Sequence, residues 1–301
     1  MNLVLTLVTA PSHAPIAPGL VISIRAALAS AGASIGEPDW LAPGLACDLG
    51  FDGVAPAAAR DITRALLRDR PIDCYAQPTQ GRKKRLLVCD MDATIVTGET
   101  LDDLSVFAKD KAAIDALTQQ SVRGEIGFTD SLIKRAELLK GLGEAEFAAA
   151  YAKVRLSPGA TTLIRTLRAD GVYTALVSGG FRYFTRRVRD QIGFFADIAN
   201  DFEMVDGRTT GKLVPPIVDP EGEHGKLGRL KHLARKLGLD LDATAAIGDG
   251  ANDIPMLAAA GLGCAYRGKE KVRAAIPCRL DHADLTGLLY FMGYRGSEMV
   301  S

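Results

Sequence analysis

The chain has 301 residues, of which 48% are hydrophobic and 24% are charged, so it can bury a large core and lacks the composition of a disordered protein. Lys and Arg total 36, as do Asp and Glu, and this balance gives no overall field that favours nucleic acid or an anionic membrane. The 5 cysteines include no C-x-x-C pair, which excludes a typical disulfide framework or zinc site and favours a cytoplasmic protein with reduced thiols. At about 150 residues per domain, the length predicts two domains.

The first 80 residues show the element order of a small α+β domain. Strands are predicted at Leu3–Val8, on either side of Pro43-Gly44 within Ser34–Phe51, and at Pro71–Ala76, with helices at Pro18–Ala31 and Pro56–Arg70. The order strand–helix–strand–strand–helix–strand predicts a ferredoxin-like fold. Because this segment contains no catalytic motif, it favours packing or oligomerisation, with small-molecule regulation as the alternative.

The segment Gln77–Arg85 is polar and contains Pro78 and Gly81, which predicts a solvated linker. It ends in four consecutive basic residues, Arg82–Arg85, without interleaved aromatic residues. We therefore do not interpret it as a nucleic-acid site.

A short apolar run, Leu86–Cys89, predicts a buried strand that leads directly into Asp90 and Asp92. Residues i and i+2 of an extended chain point to the same side, so both carboxylates can face one pocket. Like charges at the end of a buried strand are unfavourable unless a cation or a proton is shared. A surface turn is the alternative interpretation of this pair.

The chain then leaves the sheet for about 55 residues, with apolar residues at helical spacing after Thr100, after Thr129 and from Phe147 to Val154. Thr100 and Asp103 predict a capping box at the first helix. The insertion, about residues 98–156, ends at Ser157-Pro158-Gly159, where Ser157 is predicted to cap the next helix with Pro158 in its first turn. An insertion with this much helical pattern predicts a cap over the strand ends.

The remaining chain alternates helices and strands. The predicted elements are a helix through Leu163–Leu167, a strand Val172–Val177, a helix Phe181–Ile192, a strand Ala196–Ala199, a hairpin Glu203–Val214 turning at Asp206-Gly207, a helix Lys226–Leu237, a strand Ala243–Ile247 and a final helix. This order predicts an α/β fold with a doubly wound parallel sheet, whose ligands bind beyond the carboxyl ends of its strands. Asp90, Ser178 and Asp249 all follow predicted strands.

The carboxylates suit phosphoryl chemistry. Asp90 can attack phosphorus as a nucleophile, and Asp92 can protonate a leaving alkoxide and later activate water. Asp249, between two glycines and with Asp253 behind it, adds further negative charge. Because carboxylates and a phosphate dianion repel one another, this site requires a cation, and oxygen-only ligation points to Mg²⁺.

Three further residues can bind the phosphate. Ser178 and Gly179 offer a hydroxyl and an unobstructed backbone N–H. Lys226, which follows the glycine-containing loop Glu221–Gly225, can add a positive charge. Without its neighbours, Lys226 would be read as an ordinary exposed lysine at a helix start.

Together, Asp90–Thr94, Ser178–Gly180, Lys226 and Gly248–Asp253 resemble the four motifs of the haloacid dehalogenase (HAD) superfamily. The sequence around Ser178 and Asp249 is most similar to the phosphoserine phosphatases of this superfamily, and the resemblance covers about residues 85–294. The resemblance implies a HAD-type sheet with an inserted helical cap in residues 81–301. It also implies an ACT-like domain, as bacterial members carry, in residues 1–80.

The resemblance also implies roles for individual residues. Asp90 would be the nucleophile and Asp92 the general acid and base, and Asp90, the Asp92 carbonyl and Asp249 would bind Mg²⁺. Ser178, Gly179 and Lys226 would hold phosphate. Asp253 would lie behind the metal ligands, and Asn252 near the phosphate and Lys226.

In the cap, Glu99 stands where phosphoserine phosphatases carry the acid that meets the substrate ammonium, and Arg135 where they carry the arginine for its carboxylate. Ala93 departs from the usual Ser. The implied reaction is hydrolysis of O-phospho-L-serine to serine, the last step of serine biosynthesis. A related HAD phosphatase or phosphotransferase, and a catalytically silent amino-acid sensor, remain alternatives. The sequence leaves open the assembly, for which a homodimer is one option, and the preference for L- or D-phosphoserine.

Overall fold

In the computed structural model, which describes residues 1–68, 70–218 and 222–301, the N-terminal segment forms a four-stranded antiparallel sheet with two helices. Its elements are β1 (Leu3–Thr9), α1 (Pro18–Ser30), β2 (Ser34–Ala42), β3 (Ala46–Asp52), α2 (Pro56–Leu67) and β4 (Ile72–Pro78). Leu5 and Leu7 of β1 pack with Leu28 of α1 in one apolar cluster. The strand order β2-β3-β1-β4 agrees with the predicted ferredoxin-like arrangement and fits an ACT-like domain. Asp69, in the predicted helix Pro56–Arg70, lies outside the described residues.

The second sheet has seven strands in the order β11-β10-β9-β5-β6-β7-β8. Its elements are β5 (Leu86–Cys89), α7 (Ala160–Ala169), β6 (Tyr173–Phe181), α8 (Arg182–Ile192), β7 (Ala196–Val205), β8 (Arg208–Val214), α9 (Lys226–Lys236), β9 (Thr244–Gly248), α10 (Ile254–Ala259), β10 (Leu262–Tyr266), α11 (Glu270–Ala275), β11 (Cys278–Leu280) and α12 (Gly287–Phe291). All neighbouring pairs except β7–β8 are parallel. The sheet confirms the predicted α/β class and places β5 beside β6 and β9.

The hairpin prediction is confirmed in its turn and corrected in its length. Asp206 and Gly207 have φ values of 50° and 72°, and Val205 pairs with Arg208 across the turn. The predicted strand Ala196–Ala199 and the first hairpin strand are one element, β7, which pairs with β6 at its start and β8 at its end.

The insertion between β5 and α7 folds into helices, as predicted. They are α3 (Thr100–Ser105), α4 (Lys111–Arg123), α5 (Phe128–Leu138) and α6 (Glu144–Tyr151). The sequence did not predict α4, whose N-terminus is capped by Asp110 Oδ1 accepting from Ala113 N–H at 2.9 Å. None of the helices in the described ranges is long and apolar enough to cross a membrane.

Two predicted caps are wrong. Thr100 lies inside α3, whose cap residue is Glu99 without a side-chain cap bond. Helix α7 begins after Gly159, which has φ of 81°, so Ser157 and Pro158 lie outside it. The first N–H of α3 is instead satisfied by the Asp92 side chain, and α7 starts after the left-handed Gly159.

The prediction of a solvated linker is wrong for part of its length: residues 78–81, 83 and 85 are exposed, but Gln77, Arg82 and Lys84 make specific contacts with other parts of the chain. Gln77 Nε2 donates to the Phe291 carbonyl at 2.6 Å. Arg82 pairs with Asp48 of β3 at 2.6 Å, and both side chains are about nine-tenths buried. Lys84 is buried and donates to the Asp242 carbonyl at 2.8 Å. Two residues of the basic run, Arg82 and Lys84, thus make specific contacts and are not part of a freely hydrated linker.

Candidate active site

The candidate nucleophile lies where β5 ends. Asp90 is buried and its backbone N–H donates to the Ile247 carbonyl of β9 at 2.9 Å. A wide turn follows, closed by Val96 N–H donating to the Met91 carbonyl at 2.9 Å. Within it Ala93 has φ of 52°, a left-handed conformation that is uncommon outside glycine, Asn and Asp. This turn sends the chain towards the cap while keeping Asp92 at the strand end.

Lys226, the first residue of α9, is buried between two carboxylates. Its Nζ lies 2.7 Å from Asp90 Oδ1 and 2.5 Å from Asp253 Oδ1. Burial alone lowers the pKa of the ammonium, but Asp253 and Asp90 outweigh burial and raise it. Lys226 is therefore charged, and it fixes the oxygen Oδ1 of Asp90, which also accepts from Met91 N–H at 2.7 Å.

Asp92 is held by groups from two other elements. Its Oδ1 accepts from the backbone N–H of Thr100, the first residue of α3, at 2.7 Å. Its Oδ2 accepts from the Ser178 hydroxyl at 3.3 Å. Burial raises the pKa of the Asp92 carboxyl, against the lowering effect of these hydrogen bonds. A carboxyl whose pKa is raised is suited to give a proton to a leaving group.

The predicted phosphate-binding residues lie near the end of β6, where its pairing with β7 is irregular between Val177 and Phe181. Ser178 is buried, and its Oγ accepts from Gly180 N–H at 2.9 Å. Gly179 lies under the Phe128 ring of the cap, and a Cβ at residue 179 would approach Phe128 Cζ to 2.6 Å. Any larger residue would force the Phe128 ring to shift, so glycine allows this close approach of the cap.

Three buried carboxylates converge at the ends of β5 and β9. One oxygen from each of Asp90, Asp249 and Asp253 lies within 4.8 Å of the others. Burial raises the pKa of Asp90, and Asp253 and Asp249 raise it further, against the lowering effect of Lys226. When all three are ionised, these carboxylates carry more negative charge than Lys226 and Lys269, the two ammonium groups beside them, neutralise. An oxygen-only donor set with this excess of charge fits a hard divalent cation.

Glu99 and Arg135 face the site from the cap. Arg135 is buried, and its Nε donates to the Ser131 carbonyl within α5 at 3.2 Å. Burial lowers the pKa of this guanidinium, while Glu99 and Asp102 act to raise it. Glu99 retains solvent-accessible surface, yet the protein around it desolvates the carboxyl, and with the neighbouring Asp92 raises its pKa to about 7. The cap thus brings one acid and one base together above the carboxylate cluster.

The family model of the haloacid dehalogenase-like hydrolases matches residues 87–258, from β5 to α10. This range contains Asp90, Ser178, Lys226 and Asp249 in the order of the family motifs. The chain belongs to the haloacid dehalogenase-like hydrolases.

Relatives and solved structures agree with this assignment. A Streptomyces coelicolor protein named phosphoserine phosphatase is 36% identical over 298 residues, which cover 98% of this chain and 72% of that protein. The crystal structure of a HAD family hydrolase from Salmonella enterica serovar Typhi aligns with a TM-score of 0.82 at 25% identity, covering 96% of this chain and 98% of that one. A structure described as a phospho-aspartyl intermediate analogue of phosphoserine phosphatase aligns with a TM-score of 0.63 at 31% identity, covering 69% and 99%.

The structure of this hydrolase brings together Asp90, Asp92, Ser178, Lys226, Asp249 and Asp253, with Glu99 and Arg135 above them. Asn252 lies in the short turn Ala251–Asp253, half-buried, and its predicted contact with phosphate stays a prediction. The loop Glu221–Gly225 falls partly outside the described residues, since Glu221 is not described.

Sequence reasoning missed Lys269 and Thr100. Lys269 Nζ lies 3.4 Å from Asp249 Oδ2, and the residue follows β10, the strand next to β9. The rule that ligand groups follow parallel strands could have identified it. Thr100 acts on Asp92 through its backbone N–H, a role that its side chain, interpreted above only as a helix cap, did not indicate.

Proposed function

We propose that the protein is a phosphoserine phosphatase, which hydrolyses O-phospho-L-serine to L-serine and phosphate. The observation that carries the proposal is that an acid and a base of the cap, Glu99 and Arg135, lie near each other and near the buried carboxylate Asp90. The name of the Streptomyces coelicolor relative supports the same substrate.

Asp90 is the nucleophile. Both of its polar contacts among the described residues fall on Oδ1, from Lys226 and from Met91 N–H. This leaves Oδ2 for attack on phosphorus, which forms an acyl phosphate on Asp90 as the bond from phosphorus to the serine oxygen breaks.

Asp92 moves the protons. Its raised pKa lets it protonate the departing serine alkoxide, and the carboxylate that results can take a proton from the water that hydrolyses the acyl phosphate. Thr100 N–H and the Ser178 hydroxyl keep it oriented in both steps.

Lys226, Ser178 and Gly179 bind the phosphoryl group. The Lys226 ammonium lies against the nucleophile, so it also offsets charge that builds on the phosphoryl oxygens. Gly179 presents a backbone N–H beside them, and the single proton of the Ser178 hydroxyl can bridge a phosphoryl oxygen and Asp92.

Asp90, the Asp92 carbonyl and Asp249 would hold Mg²⁺, with Asp253 behind them bonded to Lys226 and to Gly250 N–H. A bound Mg²⁺ would screen the carboxylates and polarise a phosphoryl oxygen. The oxygen-only cluster supports this choice of ion.

Recognition is carried by the cap. Arg135 can grip a carboxylate with two parallel hydrogen bonds, and Glu99 can pair with an ammonium on the same carbon. A substrate without these groups leaves both charges unpaired, which is a source of large discrimination.

The experiment compares Arg135→Ala with Lys134→Ala, an exposed neighbour on α5. We expect Arg135→Ala to lower kcat/KM for phosphoserine by roughly 10²-fold, as expected for loss of a charge-assisted pair. Turnover of p-nitrophenyl phosphate should barely change, and Lys134→Ala should affect neither. Equal losses on both substrates would contradict the assignment of phosphoserine. Equimolar serine and free phosphate would distinguish hydrolysis from transfer, and no product at all would favour a silent sensor.

A further inference from the structure

Asn200 is a fully buried amide on β7 that belongs to none of the family motifs. Its Nδ2 donates to the Gly179 carbonyl at 2.8 Å. Its Oδ1 accepts from Val218 N–H at 2.7 Å. The Asn200 side chain therefore connects Gly179 with Val218, which precedes α9 in the chain.

The hydrogen bond from Asn200 to the Gly179 carbonyl also affects the neighbouring Gly180 N–H. The Gly179 carbonyl and the Gly180 N–H belong to one planar peptide unit, so fixing the carbonyl also fixes the direction of the N–H. That N–H donates to Ser178 Oγ at 2.9 Å, and Ser178 Oγ lies 3.3 Å from Asp92 Oδ2. A continuous hydrogen-bonded chain thus runs from Asn200 to Asp92.

The direction of this chain follows from the chemistry of the hydroxyl. A serine hydroxyl has one proton and two lone pairs. With Gly180 N–H occupying one lone pair, the single proton of Ser178 is directed into the pocket, to Asp92. If the peptide between Gly179 and Gly180 rotated, the hydroxyl could turn away and Asp92 would lose a partner.

We propose that Asn200 is a positioning residue for proton transfer. It locks the Gly179–Gly180 peptide, which sets the Ser178 hydroxyl and through it the orientation of Asp92. The inference rests on the proposed role of Asp92 as general acid and holds for any phosphomonoester substrate.

The test uses leaving groups of different basicity. Phenolate is a poor leaving group and needs a proton from Asp92, whereas p-nitrophenolate departs with little help. We expect Asn200→Ala to lower kcat/KM for phenyl phosphate about tenfold, a part of the 10²–10⁴-fold typical of general acid catalysis. The loss for p-nitrophenyl phosphate should stay within about threefold. A purely structural defect, or displacement of Lys226 through Val218, would reduce both alike.

The matched control is Thr185→Val, which removes another buried hydrogen bond to β7, from Thr185 Oγ1 to Asp197 at 3.0 Å. It should show no dependence on the leaving group. In a Ser178→Ala background, Asn200→Ala should add no further dependence, because the hydroxyl that it orients is gone.

If Asn200→Ala does not fold, Asn200→Asp gives the same readout at alkaline pH. It keeps the bond from Val218 N–H, but its carboxylate cannot donate to the Gly179 carbonyl. Equal losses on both aryl phosphates, or no loss on either, would overturn the proposal. Turnover of aryl phosphates without turnover of phosphoserine would contradict the proposed substrate and leave this test valid.

Discussion

Lys226 Nζ lies 2.7 Å from Asp90 Oδ1, so the proposed nucleophile and an ammonium form a buried ion pair. Both side chains are less than a tenth exposed. Removing one partner of a buried pair leaves an uncompensated charge, which typically costs several kcal/mol. The pair therefore links stability to catalysis.

We expect Lys226→Met to abolish turnover and to lower the unfolding free energy of the metal-free protein by about 3–5 kcal/mol. Urea denaturation at pH 8 measures the change. Adding Asp253→Asn should recover part of the loss, because it removes one of the two carboxylates that Lys226 neutralises. An unchanged unfolding free energy in Lys226→Met would show that the ion pair does not stabilise the fold.

Metal dependence is the next prediction. Chelation should remove activity and Mg²⁺ should restore it, because the carboxylate cluster and a phosphate dianion repel each other without a cation. Asp249→Asn should raise the Mg²⁺ concentration needed for half-maximal activity by tenfold or more, about 1.4 kcal/mol. The exposed Asp240→Asn, beyond the cluster, is the control. Full activity in excess chelator would refute the metal assignment.

The Glu99 carboxyl should give a pH dependence specific to phosphoserine. Burial and the neighbouring Asp92 raise its pKa to about 7, so the carboxyl is neutral below that pH and loses its attraction for the substrate ammonium. We expect kcat/KM for phosphoserine to fall as pH drops through 7, since this parameter reports groups of the free enzyme. Glu99→Gln should abolish that step. If p-nitrophenyl phosphate shows the same step in the wild-type enzyme, Glu99 is not its source.

Removal of residues 1–80 tests the N-terminal unit. A chain beginning at Gly81 keeps every proposed catalytic residue, so its folded fraction should turn over substrate. It would lose Asp48, the buried partner of Arg82, and Val8, which lies in the same apolar cluster as Phe291. We expect a lower Tm and poor solubility. A folded truncation without turnover would show that the unit contributes to the site or to a required assembly.

The elements that could be predicted from the sequence are those whose pattern is local. Leu86–Cys89 is a strand with the predicted bounds, because four buried apolar residues end at a charged one. The hairpin turn at Asp206-Gly207 was predictable because these two residues tolerate positive φ. The position of Asp90 and Asp249 at one edge of the sheet followed from the rule that parallel strands bring their carboxyl ends together, and their catalytic roles stay a prediction.

The features that were missed depend on distant partners. The local sequence around Arg82 predicts a linker, and only the folded structure shows that Arg82 pairs with Asp48 of β3. The start of α3 depends on Asp92, which accepts from the Thr100 N–H, and the start of α7 on the left-handed Gly159, neither of which the side-chain signals near Thr100 and Ser157 revealed. Lys269 lies near Asp249 only because β10 pairs with β9 in the folded sheet.

The most direct test of the account is phosphate release from O-phospho-L-serine by the Mg²⁺-loaded wild-type protein and by Asp90→Asn. The amide is nearly isosteric with the carboxylate but cannot form the acyl phosphate. We predict ready release by the wild-type protein, with one serine per phosphate, and none detectable from a folded Asp90→Asn. Turnover of Asp90→Asn within tenfold of wild type, or no release from phosphoserine by the wild-type protein, would contradict the account.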